Sequence, residues 1–274
     1  MSSLPTETQP PPTPNFLRLS YPSQHVLLIR MDRPQSLNSL SMDSLEEIDA
    51  VLRWYDSEPT LFVAILTGTG RAFTAGADLK QWRQSLNGEH RFGVREGIES
   101  PTRRKGKKPL VAAVNGMAFG GGCELVVNCD LVVAADSAIF SLPEVRRGLA
   151  PTGGVLTRLV HTVGMQVACE IVLTGRPISA AEMHSWGLVN KVVPKEEVVD
   201  EALRYADLIA ANSPDGVVCA RMGLRQAWET ADVESATDDW LKQYFSVLEK
   251  GENIREGMSS FIEKRKPVWK GSKI

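Results

Sequence analysis

The sequence predicts an α/β protein, a largely parallel sheet followed by a helical C-terminal part. Four short runs carry the sheet: VLLIRM at 26–31, LFVAILTG at 61–68, LVAAVNG at 110–116 and DLVVAAD at 130–136. They are nearly continuous in Val, Leu, Ile and Ala rather than alternating, the pattern of strands buried on both faces. Beyond about residue 150 strand signals shrink to LVNKVVP at 188–194, and helical spacing takes over.

The elements follow in order. Ser41 opens SMDSLEEIDAVLRWY as an N-cap, with Leu45, Ile48 and Leu52 on one helical face. After the run at 110–116 comes MAFGGGCE, three glycines at the start of a predicted helix with an acid in its first turn. The C-terminal helices are predicted in KEEVVDEALRYADLIAA, SPDGVVCARMGLRQAWE, ESATDDWLKQYFSVLEK and IREGMSSFIEKRK. Amphipathic helices in that number either pack on a core of their own or form an oligomer interface, and both remain open. No internal sequence repeat is present.

Composition narrows the function. The chain has 274 residues, 43% of them hydrophobic, enough for a well-packed core in one large or two small domains. A formal net charge of −2 gives no overall basic field of the kind nucleic-acid binders carry. Cys123, Cys129, Cys169 and Cys219 form no C-x-x-C pair, and His25, His90, His161 and His184 are scattered, so neither a disulfide framework nor a zinc site is expected. A reducing intracellular compartment is expected. No apolar stretch reaches the roughly 20 residues a membrane span needs. The opening MSSLPTETQPPPTPNF is expected to be a flexible lead-in, neither a secretory signal nor a mitochondrial presequence. Ser272-Lys273-Ile274 differs by one residue from the S-K-L peroxisomal address, and a peroxisomal or otherwise cytoplasmic location is expected.

Three segments carry chemistry. A strand, a glycine turn and a helix start aim backbone N–H groups at a negative ligand. The turn at 117–124 matches neither G-x-x-x-x-G-K-[ST] nor G-x-G-x-x-G, and Glu124 would repel a phosphate there. It would not repel a thioester carbonyl that becomes an enolate only during reaction, and a carboxylate there can act as a base. Ala75-Gly76-Ala77-Asp78 forms a second small-residue turn between a strand and a helix. Two such turns can together supply an oxyanion hole. In FSLPEVRRGL, Glu144 taken alone reads as an exposed charge or a partner of Arg146 or Arg147.

Together PQSLN, FTAGADL, AAVNGMAFGGGCEL, CDLVVAAD, FSLPEVRRGL, LTGRPISAAEMHSWGLVNKVVP and FIEKRKP resemble the enoyl-CoA hydratase/isomerase, or crotonase, superfamily, in order and spacing over roughly residues 16–268. The resemblance implies the crotonase (ClpP-like) fold: repeated ββα units in a spiral core of two packed sheets, then a helical trimerisation region. It divides the chain into a Pro-rich segment at 1–15, a core at 16–200, a helical region at 201–271 that closes the CoA pocket, and the tripeptide at 272–274. It also implies an oxyanion hole from the backbone N–H groups of Ala77 and Gly121, with Glu124 and Glu144 as a catalytic pair sharing a water. Glu124 is assigned to the water and Glu144 to the C2 proton, a division the residues themselves leave open.

CoA is expected as part of the substrate, with no further cofactor and no metal. Its contacts are expected at Ala75, Ala77, Asp78, Leu79 and Gly121, with Lys264 contributing charge from this or a neighbouring subunit. The expected partners are an acyl-CoA substrate and further copies of the chain, as a homotrimer or a hexamer. The basic run RRKGKK at 103–108 is expected to be a solvated loop. Thr74, where the family commonly has Cys or Ser, and PTGG at 151–154 depart from the family pattern and are expected to alter pocket shape. Both glutamates favour a hydratase. An isomerase or another acyl-CoA reaction of the same fold is the first rival, and a non-catalytic CoA- or RNA-binding scaffold a remote one.

Overall fold

The computed structural model describes residues 12–85 and 100–274, which leaves most of the Pro-rich segment and His90 outside the described residues. In chain order the strands are β1 (Leu17–Ser20), β2 (Val26–Met31), β3 (Val63–Gly68), β4 (Ala72–Thr74), β5 (Leu110–Val114), β6 (Met117–Phe119), β7 (Leu131–Ala135), β8 (Ile139–Ser141), β9 (Ile178–Ser179) and β10 (Lys191–Val193). The helices are α1 (Met42–Ser57), α2 (Leu79–Ser85), α3 (Gly121–Asn128), α4 (Val155–Val163), α5 (Met165–Thr174), α6 (Ala180–Ser185), α7 (Val198–Ala210), α8 (Pro214–Gln226) and α9 (Val233–Trp240). A π-helical turn at Leu241–Phe245 joins α9 to α10 (Ser246–Leu248), and α11 (Glu252–Ile262) follows.

The strands form two sheets. The larger has the order β1-β2-β3-β5-β7-β10 and the smaller β4-β6-β8-β9. In the larger sheet β1 is antiparallel to β2 and every other pairing is parallel. All of β3 and β5 is buried, as their unbroken apolar runs predict, and α7 packs across β3, β5 and β7. The division expected after residue 200 therefore falls inside a helix that belongs to the core.

Each pass of the chain adds one strand to the larger sheet, the next to the smaller, and then a helix: β3, β4, α2, then β5, β6, α3, then β7, β8 and, after a 3₁₀ turn at Pro143–Arg147, α4. Three passes make the ββα spiral without any repeat in the sequence. The consequence is a row of turns at one end of the smaller sheet, where the chain leaves β4, β6 and β8.

Local chemistry fixes the elements around those turns. Ser41 Oγ accepts the Ser44 N–H (3.2 Å) and Ser44 Oγ accepts the Ser41 N–H (2.8 Å), a reciprocal cap that starts α1. Buried Asn38, at φ 54°, donates its amide to the carbonyls of Thr69, Ala72 and Phe73, fastening the loop before α1 to β4.

The basic run at 103–108 is not uniformly solvated, contrary to expectation. Arg104 and Lys108 are buried: the Arg104 guanidinium meets Asp56 at 2.6 Å, and Lys108 Nζ donates to the carbonyls of Tyr55 and Glu58 at the end of α1. The Arg104 charge persists in the interior because the Asp56 carboxylate replaces its water. Arg103 and Lys105 are exposed. At the other end of the chain, the Lys273 N–H donates to Asp215 (2.9 Å), which holds residues 271–274 against the protein surface.

Candidate active site

Two turns meet at the end of the smaller sheet. The turn after β4 carries Ala75–Asp78, and the turn after β6 carries Gly120–Gly122. Gly76, at φ 84°, lies against the Phe119 carbonyl so closely that any Cβ would overlap it, and that Cβ would stand 3.1 Å from the Gly121 nitrogen. Thr74 Oγ accepts the Gly76 N–H at 3.0 Å, so the departure from the family pattern at this position still holds the turn.

Ala77 forms an isolated parallel bridge with Leu40. The bridge uses the Gly76 carbonyl and the Asp78 N–H, each 2.8 Å from its Leu40 partner. In such a bridge the central residue's own N–H points the opposite way. Gly121 is the first residue of α3, where the N–H has no partner within the helix. Among the described residues neither amide donates to an acceptor, and a Cβ on Gly121 would lie 3.9 Å from the Ala77 nitrogen. Two free donors from separate turns therefore lie side by side.

The other glycines have separate duties. Gly120 adopts φ 52°, and a Cβ there would approach Glu144 Oε1 to 2.9 Å. A Cβ on Gly122 would stand 2.7 Å from the Thr74 carbonyl oxygen, so only glycine lets α3 start against the β4 turn.

Both glutamates are brought to this place. Glu124, in the first turn of α3, is 7% exposed, and its Oε1 accepts the Gly153 N–H at 2.7 Å. Burial is the main influence on its carboxyl and pushes the pKa up to about 7; Glu144 raises it further, while the N–H groups of Gly153 and Val155 and the Arg158 charge pull it down. Glu144 lies in the 3₁₀ turn after β8 and is 9% exposed, which overturns the reading of it as a surface charge. Burial raises its pKa as well, opposed by its own backbone N–H and by Arg147. Its Oε2 has no hydrogen-bond partner among the described residues. Glu124, held near 7, can hold or release a proton at neutral pH.

The remaining expected residues divide. Asp78 Oδ1 accepts the N–H groups of Lys80 (3.0 Å) and Gln81 (3.3 Å), which makes it the cap of α2. Ala75 is tied by its N–H to Leu37, and Leu79 is 52% exposed beside the turn. Lys264 is exposed beyond α11, and no hydrogen bond among the described residues joins it to the two turns. Among the described residues no cluster of three or more His, Cys, Asp and Glu side chains converges as metal ligands.

Two residues escaped the sequence reading: Thr102, whose Oγ would stand 2.5 Å from a Cβ on Gly153, and Arg158, whose charge acts on Glu124; Gly153 stands out in the sequence only within PTGG, and its tether to Glu124 was not read. PTGG before α4 was the available signal, a glycine pair at a helix start facing a carboxylate.

Known proteins resemble the chain along almost its whole length. The model of the enoyl-CoA hydratase/isomerase family matches residues 22–272. A mevalonyl-coenzyme A hydratase of Aspergillus fumigatus is 44% identical over 97% of this chain and 99% of its own, and one of Beauveria bassiana is 43% identical over 98% and 100%. A mitochondrial enoyl-CoA hydratase of Pongo abelii is 37% identical over 89% of this chain and 83% of its own. The crystal structure of a probable enoyl-CoA hydratase/isomerase from Mycobacterium abscessus superposes with a TM-score of 0.86 at 31% identity, covering 94% of this chain and 99% of that one. The chain belongs to the enoyl-CoA hydratase/isomerase family.

Proposed function

We propose that the protein adds water across the 2,3 double bond of a 2-enoyl-CoA to give a 3-hydroxyacyl-CoA, using no group beyond the CoA of its substrate. The thioester oxygen accepts the N–H groups of Ala77 and Gly121. Glu124, ionised, takes a proton from the water as its oxygen bonds to C3, and the electron pair of the double bond moves onto the thioester as an enolate. Glu144, protonated, then returns a proton to C2. Water and proton delivered from the same side of the acyl plane make the addition syn. The hole stabilises charge that exists only in the transition state, and one lost donor typically costs about 10²–10³ in rate.

One observation carries this reading: two buried carboxyls with raised pKa values border the same glycine turn that offers the unpaired Gly121 amide. A double-bond shift needs one acid/base group and would leave the second buried carboxyl without a task. For the acyl group, the fungal relatives named mevalonyl-coenzyme A hydratases favour a short branched chain with a distal oxygen, the 2-enoyl partner of mevalonyl-CoA. For the assembly, exposed apolar residues on the C-terminal helices, Leu224, Val233, Phe261 and Ile262, favour a trimer or a dimer of trimers.

The test is spectroscopic. Purified protein is incubated with crotonyl-CoA and with the branched, 5-hydroxylated enoyl-CoA, and loss of the conjugated thioester absorbance is followed. Loss with both, faster for the branched substrate, is expected. No loss with either, nor with longer enoyl chains, rejects the hydratase.

A further inference from the structure

Behind the loop that tethers Glu124 lies a cavity of about 620 Å3, walled by the 3₁₀ turn at 101–103, α4, α8 and the π-helical turn. Its lining is cationic. Arg103, Lys105, Arg158, Arg225 and His161 face it, against one carboxylate, Glu229, which lies 3.3 Å from Lys105. That pair is exposed on both sides and therefore weak. Arg225 is partly balanced by Asp130 at 3.5 Å, whereas Arg103 is exposed and forms no ion pair with a carboxylate among the described residues. Trp228 forms one wall and supports two guanidinium groups, with Arg158 at 5.9 Å and Arg225 at 5.5 Å from its ring. A basic cleft with partly apolar walls concentrates field lines and draws in an anion.

The cavity is one peptide unit away from the chemistry. Thr152 and Gly154 line it, and Gly153 between them donates to Glu124. Arg158 Nη1 donates to the Gly154 carbonyl at 3.0 Å, so its guanidinium lies between the cavity and the tether. The hydratase reading sets the thioester oxygen at Ala77 and Gly121 and C3 beside Glu124, and the 152–154 peptide is what separates Glu124 from this wall. An acyl chain that leaves C3 past that peptide would bring its far end to the guanidinium groups.

We propose that this cavity is a subsite for a carboxylate at the distal end of the acyl chain. The inference rests on the hydratase reading for the position of the chain and extends it to a substrate class: a methyl end gains nothing among these cations, an alcohol gains a neutral hydrogen bond, and a carboxylate gains charge-assisted, bidentate bonds.

The experiment compares binding of two saturated, unreactive ligands of equal length, adipoyl-CoA and hexanoyl-CoA, to the whole protein by calorimetry. Adipoyl-CoA is expected to bind at least about tenfold tighter, the scale of one charge-assisted bond. The preference is expected to fall about tenfold in an Arg103→Gln/Lys105→Gln variant and to survive in Arg103→Lys. Equal affinities, or a preference unchanged in the double variant, overturn the proposal. So does an equal weakening of both ligands by the double variant with inorganic phosphate competing against each, because the cavity then serves a phosphate of the CoA. Crotonyl-CoA turnover is read separately: normal turnover without the preference removes the subsite alone, and the preference without turnover removes the reaction alone.

Discussion

Gly153 donates its N–H to Glu124 Oε1 at 2.7 Å, and a Cβ built on the same residue would lie 2.6 Å from Glu124 Oε2. The residue holds the carboxylate with its backbone and makes room for it by lacking a side chain. Gly153→Ala keeps the donor and fills the room, so the carboxylate must move. A misplacement of about 1 Å at a reacting group can cost roughly 10² in rate. We expect kcat for crotonyl-CoA hydration to fall by that order while KM changes little, since the CoA contacts are expected at Ala75–Leu79 and Gly121. A fall in affinity with kcat intact would show that Gly153 shapes binding and not the position of Glu124.

Glu124→Gln and Glu144→Gln are each expected to lower kcat by about 10²–10⁴, the usual contribution of a positioned acid or base. They are also expected to stabilise the protein, in a pH-dependent way. The folded pKa of Glu124 is raised from 4.5 to about 7, so the folded state binds more protons than the unfolded state between those values. The stabilisation from its protonated form is complete below about pH 4.5 and is gone above about pH 7. Glu124→Gln should therefore raise the melting temperature at pH 8 by several degrees, a gain on the order of 1–3 kcal/mol, and have little effect at pH 4.5. An equal effect at both pH values contradicts a buried, ionising Glu124.

The same carboxyl sets an activity profile. If Glu124 must be ionised to accept the water proton, kcat/KM falls on the acid side with a midpoint near 7. Glu144 must carry its proton in the same state, so the profile has an alkaline limb as well, and its midpoints belong to the pair. A steady-state profile from pH 5 to 10 measures this. A flat response between pH 5.5 and 8 would remove Glu124 from the role of base.

How much of this could be read from the residues depends on the length of the signal. The runs that became β2, β3, β5 and β7 were legible because burial on both faces leaves an unbroken apolar record. The strands of the smaller sheet are two or three residues long, AFT, MAF, IFS and IS, too short to show any period, and they emerged only through family likeness. Ala77 and Gly121 act through main-chain N–H groups, which leave only the smallness of their neighbours in the sequence. Gly153 left still less, because its partner Glu124 is 29 residues away.

Charge runs mislead for a related reason. RRKGKK looks solvated until the fold supplies partners from α1: Arg104 finds Asp56, 48 residues earlier, and Lys108 finds the Tyr55 carbonyl, 53 residues earlier. Alternate residues of the run turn inward, and the outward ones, Arg103 and Lys105, reach the cationic cavity.

Lys108 gives the last prediction. It is 3% exposed, and burial lowers its pKa from 10.5 to about 7, with Asp56 and Glu58 opposing that shift and Lys107 adding to it. Between pH 7 and 10.5 the unfolded chain binds the extra proton, so the stability due to Lys108 is full above about 10.5 and is lost as pH falls through 7. The neutral amine still donates to the Tyr55 and Glu58 carbonyls at the end of α1. Lys108→Met removes those donors at every pH but removes a buried charge only at low pH, where the two effects oppose each other. The variant should therefore lose more stability at pH 9.5 than at pH 6.5, by on the order of 1–3 kcal/mol in denaturant titrations. A loss independent of pH would mean that Lys108 keeps its charge in the fold and that the α1 terminus is capped by an ammonium throughout.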